Sequence, residues 1–273
     1  MVRGSSKALG ISVRECNRAS ISYGKLLGES MIVEADASRR YGPEDIFLPP
    51  SNLDAKIWRY MDFSKYVSLL EKRALFLSRS DLLGDSFEGS LSPLNAVVQS
   101  MQASSHGRDP GAFTLPPEVR QSMRKMIYVN CWHANEHESV AMWSLYARST
   151  EAVAVCSTYR KLLAQLPPYH YFGAVRYIDY RSVHIPEDNA FWPYAFKRLA
   201  FQHEMEMRIV TQAVSPPGPP GALMPVDLNS LIDGVYVAPN AARWFHELVE
   251  SVTGKYGLAL PVRQSSLDEL GFL

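Results

Sequence analysis

The sequence lacks the features of membrane-spanning, disulfide-stabilised and strongly charged proteins. No apolar run approaches the roughly 20 residues that cross a bilayer, and the opening MVRGSSKALG has no apolar signal core. Three cysteines, Cys16, Cys131 and Cys156, occur without a CxxC pair, which is typical of a reducing compartment. The 28 Lys+Arg balance the 28 Asp+Glu, so no global charge attracts nucleic acid or an anionic membrane. We expect a soluble, cytoplasmic protein with no membrane partner.

The common nucleotide-binding and hydrolase motifs are also absent. The sequence has no GxGxxG, no P-loop, no GxSxG and no protein-kinase signature. Any chemistry must therefore come from residues outside these motifs.

The length and the distribution of proline predict one domain with an extension. A chain of 273 residues can bury a substantial core. Residues 1–50 lack sustained periodicity and end in Pro49 and Pro50, so we expect a partly disordered or loosely docked extension. Residues 51–273 are predicted to form a single domain with a proline-rich surface loop near residues 214–221.

Short strands and helices alternate through this domain. KIWRYM, ALFLS, IYVNCWH and FQHEMEMRIV are predicted strands, and ESVAMWSLY is a predicted amphipathic helix. Residues 98–119 are predicted to be a long excursion that contains HGRDPG. The helices are short and few strands are wholly apolar, which favours an α+β fold with a mixed, largely antiparallel sheet and short flanking helices over a doubly wound parallel sheet.

FQHEMEMRIV places charged residues at alternate positions. On a strand, Glu204, Glu206 and Arg208 share one side, with neighbours about 7 Å apart, while the apolar residues between them face the core. One interpretation is a solvated strand face in which Arg208 offsets the carboxylates. The other is a carboxylate at a cleft that stabilises positive charge developing on a substrate.

NCWHANEHESVAMWSLY contains several residue types that bind metals. The spacing of Cys131, His133, His137 and Glu138 matches neither HExxH nor a paired CxxC. No metal is therefore predicted. A metal-dependent nuclease or other hydrolase is an alternative, with the ligands His133, His137, His203 and Glu204.

Arg59 occupies an unusual place for a permanent charge. It follows Trp58 in a predicted strand among large apolar residues, which implies an anionic partner. A structural interpretation is an ion pair with Asp85 or Glu88. Ser78 ends the next predicted strand.

Three ordered stretches resemble the bacterial family catalogued as domain of unknown function 2971. They are WRYMDFSKYVSLLEKRALFLSRSDLLGDSFEG, NCWHANEHESVAMWSLYA and KRLAFQHEMEMRIV. The resemblance covers roughly residues 56–212, and the C-terminal stretch YVAPNAARWF shows a weaker similarity. The ordered set is fairly specific, but the family name implies no function.

The order of residues is similar, more distantly, to the Arg-Ser-Glu layout of ADP-ribosyltransferases. The resemblance implies that Arg59 holds a phosphate or ribose of NAD, Ser78 supports the nicotinamide ribose, and Glu206 is the catalytic carboxylate. Glu204 would be the first glutamate of the pair. The chain departs from the pattern because Ser78 lies in FLSRS instead of Ser-Thr-Ser, and because the gap to Glu206 is long.

This second resemblance implies NAD as substrate. Breaking the N-glycosidic bond builds an oxocarbenium-like ribose, which a carboxylate stabilises. Tyr60, Trp132 or Tyr146 would stack on nicotinamide. The implied function is an NAD-dependent ADP-ribosyltransferase-like enzyme or NAD glycohydrolase with a nucleic-acid or protein acceptor, in a bacterial toxin or phage-defence context. The alternative is a non-catalytic binding or regulatory domain.

Overall fold

The computed structural model describes residues 46–106, 116–147, 149–213 and 218–268. Most of the predicted extension and residues 214–217, the first half of the proline-rich loop, lie outside these residues. Ile46 and Phe47, near the end of that extension, are buried. No helix in the described ranges is both long enough and apolar enough to span a membrane.

Strands and short helices alternate along the described chain. The strands are β1 (Lys56–Asp62), β2 (Ala74–Arg79), β3 (Ile127–Ala134), β4 (Ala152–Thr158), β5 (Tyr171–Ala174), β6 (Arg176–Ile178), β7 (Phe196–Arg198), β8 (Glu206–Gln212), β9 (Gly221–Pro225), β10 (Gly234–Val237) and β11 (Val262–Gln264). The α-helices are α1 (Phe63–Lys72), α2 (Pro93–Ser105), α3 (Pro117–Arg124), α4 (Val140–Tyr146), α5 (Tyr159–Leu163), α6 (Leu228–Leu231) and α7 (Arg243–Lys255). Short 3-10 helices cover Ser80–Leu82, Trp192–Tyr194, Leu199–Glu204 and Ser266–Asp268.

The main sheet is mixed and largely antiparallel, as predicted. Its order is β11-β10-β4-β1-β3-β2-β9, with β8 on the other edge of β3 and β5 beyond β8. Only the β10–β11 pair in this sheet is parallel among the strands described. A separate small sheet pairs β6 with β7. The α+β class with short flanking helices is confirmed.

Local sequence explains where the helices begin. Helix α4 starts after Ser139, whose side chain accepts a hydrogen bond from the Met142 amide and so satisfies one free donor of the first turn. Helix α2 starts with a capping box between Ser92 and Asn95. Within the predicted excursion over residues 98–119, α2 continues to Ser105 and α3 begins at Pro117, and residues 107–115 lie outside the described residues.

The predicted strand over FQHEMEMRIV is also shorter than expected. Its first residues belong to the 3-10 helix Leu199–Glu204, and β8 begins at Glu206. Met205 between them has a left-handed backbone with φ 39° and ψ 54°. Met207 and Ile209 are buried, as the alternation predicted.

The sheet divides at β3. One edge of β3 pairs with β8, while the other pairs with β1 at His133 and with β2 at Val129. The stretch of β3 between these two points faces a gap between β1 and β2. The side chains of Arg59 and Asn130 both donate to the carbonyl of Phe76 in β2, at 3.2 Å and 2.9 Å, and so bridge this gap.

The two faces of the sheet are packed differently. One face carries the largest apolar cluster, which includes Ile57, Trp132 and Met207. The opposite face carries two smaller apolar clusters, around Val129 in one and around Tyr60 in the other. Polar side chains of β3 and β8 lie between these two clusters, and they form the candidate site.

Candidate functional site

A buried cluster of five charged side chains lies between the two apolar clusters. Glu206 accepts hydrogen bonds from Arg208 on both oxygens, Nε–Oε1 2.6 Å and Nη2–Oε2 3.0 Å, and from Lys197 Nζ at 3.1 Å. Lys197 also pairs with Glu204, and Arg208 with Glu88. All five residues are buried. We call them the ionic cluster.

Burial excludes the first interpretation of the charged alternation. Glu206 is 4% exposed and Arg208 is 1% exposed, so the solvated strand face is wrong. The left-handed Met205 explains how Glu204 and Glu206, which flank it, both reach one lysine nitrogen. A non-glycine residue in this conformation carries strain of about 1–2 kcal/mol, which the surrounding contacts must offset.

Electrostatics keep Glu206 ionised. Burial alone raises the pKa of its carboxyl, but Arg208 and Lys197 outweigh burial and lower that pKa to about 2. Burial lowers the pKa of Lys197, but Glu206 and Glu204 outweigh this effect and the pKa lies above its ordinary value. The cluster holds three carboxylates and two cations, so one negative charge is not balanced within it.

Cys131 lies beside Glu206 and is partly exposed. Burial and the charge of Glu206 raise the pKa of its thiol well above the ordinary value, and a hydrogen bond from the thiol helps to lower the pKa of Glu206. A protonated thiol is a poor nucleophile. The chemistry of the site therefore does not rest on Cys131.

Arg59 has no carboxylate within ion-pair distance among the described residues. The expected partners are engaged elsewhere: Asp85 pairs with Arg198 at 2.8 Å, and Glu88 pairs with Arg208. The predicted ion pair of Arg59 with either is therefore wrong. Burial lowers the pKa of Arg59 to about 10, and its Nη2 donates to the carbonyl of Phe76.

Arg59 and Glu206 both lie beside β3 but start on opposite faces of the sheet. Glu206 and Trp58 both pair with His133 and so share one face, and Arg59, the residue after Trp58, points to the other. The Arg59 guanidinium lies in the gap between β1 and β2, where it shares the Phe76 carbonyl with Asn130. Ser78 pairs with Val129, two residues along β3 from Cys131, and its hydroxyl donates only to the adjacent carbonyl of Arg79 at 3.5 Å.

The three predicted stacking residues differ sharply in exposure. Trp132 is 2% exposed and donates its Nε1–H to Asn130, while Tyr60 is 6% exposed and its hydroxyl accepts from the Ser139 amide. Tyr146 is 42% exposed. Its hydroxyl donates to Glu204 Oε1 at 3.4 Å. Of the three, only Tyr146 lies at the surface beside the ionic cluster.

The alternative metal ligands do not form a centre. The described residues contain no group of three or more His, Cys, Asp or Glu side chains placed to hold a metal ion. His133 is buried and its Nδ1 bonds to the carbonyl of Glu204 at 2.7 Å, whereas His137 and His203 are exposed. Glu138 accepts from the indole of Trp143 at 3.0 Å.

Two residues of the cluster were missed as site residues. Lys197 has no predicted role, and Glu88 is predicted only as an ion-pair partner of Arg59. A signal existed in the sequence: the three ordered stretches each supply part of the cluster and its contacts, with Glu88 from the first, Tyr146 from the second and Lys197 from the third.

Comparisons with known proteins give distant likenesses only. No protein-family profile and no curated protein matches the chain. Among solved structures, Thermus sp. 2.9 DarT in complex with carba-NAD+ is 12% identical, with a TM-score of 0.38 over 80% of this chain and 98% of that chain. Thermus sp. 2.9 DarT in complex with NAD+ is 10% identical, with a TM-score of 0.38 over 82% and 100%. Likenesses at this level carry no argument about the site.

Proposed function

We propose that the chain is an NAD-dependent ADP-ribosyltransferase-like enzyme, or an NAD glycohydrolase, that cleaves the nicotinamide glycosidic bond with Glu206. One observation carries the proposal: an ionised carboxylate, Glu206, pairs with β3 at His133, and an arginine without a carboxylate partner among the described residues, Arg59, shares the Phe76 carbonyl with Asn130 of the same strand. A substrate with an anionic group near a centre that becomes positive matches this pair. NAD has both, in its pyrophosphate and its reacting ribose.

The charges of the site support this chemistry. Positive charge develops on the ribose as the bond to nicotinamide breaks, and a fixed carboxylate in a poorly solvated site stabilises it strongly. The unbalanced negative charge of the ionic cluster has the required sign. Glu206 would lie beside the ribose, Arg59 would hold a phosphate or ribose oxygen, and Ser78 would support the nicotinamide ribose.

Turnover of NAD tests the proposal. Purified protein is incubated with NAD, and nicotinamide and ADP-ribose are separated by chromatography, with and without added nucleic acid or protein as acceptor. We expect nicotinamide release in step with either free ADP-ribose, for a glycohydrolase, or ADP-ribose on the acceptor, for a transferase. NAD that stays intact in every mixture would contradict the proposal and favour a binding or regulatory domain.

Tyr146 provides a separate test of NAD binding. Its exposed ring borders the ionic cluster, and an aromatic contact contributes about 1.4 kcal/mol, so we expect Tyr146→Ala to raise the Kd for NAD about tenfold. Tyr146→Phe should keep most of the affinity. Isothermal titration calorimetry measures both. Tyr169→Ala is the control, since Tyr169 is 92% exposed, and equal Kd values for Tyr146→Ala and this control would contradict the stacking role.

A further inference from the structure

Arg208 holds both oxygens of the Glu206 carboxylate through a bidentate pair of hydrogen bonds. Its Nε and Nη2 donate to the two different oxygens of Glu206, which is the planar fork geometry that a lysine cannot supply. Two parallel hydrogen bonds fix the rotation of the carboxylate as well as its position. Arg208 is itself 1% exposed, so water does not compete for these bonds.

A second carboxylate fixes Arg208 in turn. Glu88 accepts from both Nη1 and Nη2 of the guanidinium, and the carbonyl of Tyr194 accepts from Nη1 at 3.0 Å. The turn that carries Glu88 also packs closely against Tyr194. Gly89 has φ 67°, and a Cβ there would lie 2.5 Å from the Tyr194 ring. Glycine is therefore required next to Glu88.

Stability alone is a weak reason for such an arrangement. Buried ion pairs seldom stabilise a fold more than apolar side chains of similar volume, because desolvation offsets the attraction. The arrangement does supply an oriented carboxylate that stays ionised without bulk water. Orientation of this kind is what stabilisation of a developing charge requires.

We propose that Arg208, oriented by Glu88, is the positioning residue that fixes the Glu206 carboxylate for the reaction. The proposal rests on the proposed function. It assigns to the SFEG turn, far from β8 in sequence, a role in the same site. Arg208 and Glu88 act through Glu206 and need no contact with the substrate.

The test follows the protonation of Glu206 as well as activity. Carbon-13 NMR of glutamate-labelled protein, with Glu206→Gln for assignment, follows the Glu206 carboxyl from about pH 8 to about pH 4. We expect the wild-type carboxyl to stay ionised over this range, and in Arg208→Gln we expect it to begin to take up a proton. Glu88→Gln removes a negative charge that repels Glu206, so there the carboxyl should stay ionised while the loss of the Arg208 orientation lowers kcat. The kcat for NAD should then fall about tenfold from pH 8 to pH 5 in Arg208→Gln, while the wild type falls less. Arg208→Lys should restore part of the wild-type profile.

Asp85→Asn is the matched control. Asp85 lies in the same turn as Glu88 and pairs with Arg198, which follows Lys197, but it does not contact Glu206. We expect this variant to lose stability without a change in the titration of Glu206 or in the pH profile. If Arg208→Gln and Asp85→Asn give the same titration and profile, Arg208 is only structural and the inference fails.

The two proposals fail separately. If the wild-type protein leaves NAD intact, the proposed function is contradicted. The role of Arg208 as a positioning residue for that reaction is then contradicted too, regardless of the titration of Glu206. Turnover by the wild type with an unshifted pH profile in Arg208→Gln and Arg208→Lys, together with an unchanged kcat in Glu88→Gln, overturns the positioning role alone. If Arg208→Gln does not fold, the positioning role is still tested by Arg208→Lys and Glu88→Gln.

Discussion

Glu206→Gln is expected to lower the kcat for NAD cleavage by about 100- to 1000-fold, the range for loss of one preorganised electrostatic contact to a transition state. Glutamine has nearly the same shape but no charge to stabilise the reacting ribose. Because the substrate gains this charge only as the bond breaks, the Kd for NAD should change much less than kcat. Steady-state kinetics and a separate binding titration measure the two quantities.

Loss of the fold must be separated from loss of chemistry in this variant. Glutamine leaves Arg208 and Lys197 with a neutral partner, so some loss of stability is expected, and thermal unfolding monitors it. Asp85→Asn serves as control, since it removes a carboxylate charge from another ion pair in the same region. Unchanged kcat in Glu206→Gln would exclude Glu206 as the catalytic carboxylate, and an equal loss in Asp85→Asn would show that the effect is not local to Glu206.

Much of the fold could be predicted from the sequence because its signals are local. Apolar runs such as IYVNCWH predict strands, and Ser139 predicts the start of α4. Short helices between them predict a mixed, largely antiparallel sheet. The gap between β1 and β2 could not be predicted, because it depends on which residues of β3 each strand pairs with, and no hairpin turn connects β3 to either strand to fix that pairing.

The candidate site could be predicted only in part, for the same reason. Alternation placed Glu206 and Arg208 on one side of a strand, which is correct, but it could not show that this side is buried under β7. The partner of Arg208 is Glu88, 120 residues away in the chain. The left-handed Met205 was also unpredictable, because methionine has no preference for that conformation. The exposed fraction of a side chain, which makes Tyr146 a better candidate than Tyr60 or Trp132 for stacking on nicotinamide, is set by the folded structure.

Lys197→Met is expected to cause the largest loss of stability, about 3–5 kcal/mol in the free energy of unfolding near pH 7. Lys197 Nζ pairs with both Glu204 and Glu206 inside the protein, and methionine of similar length leaves these carboxylates without that cation. Urea denaturation of both proteins measures the difference. Lys161→Met is the matched control, because Lys161 pairs with Asp233 at about 40% exposure, and an exposed pair contributes about 1 kcal/mol or less.

The pH dependence identifies the cause of this loss. The pKa of Lys197 is raised, so in the wild type its contribution is present below its unfolded pKa and is lost as pH rises through the folded value. The pKa of Glu206 is lowered to about 2, so its contribution to stability is present above about pH 4.5 and is lost as pH falls from there toward the folded pKa of about 2.

In Lys197→Met the Glu206 carboxyl lacks the nearby lysine cation and takes up a proton at higher pH. The difference between variant and wild type should therefore shrink as pH falls from about 7 to about 4. A difference that stays constant over this range would show that Lys197 stabilises the fold through packing on Phe201, over whose ring its Nζ lies at 4.8 Å, and not through the carboxylates.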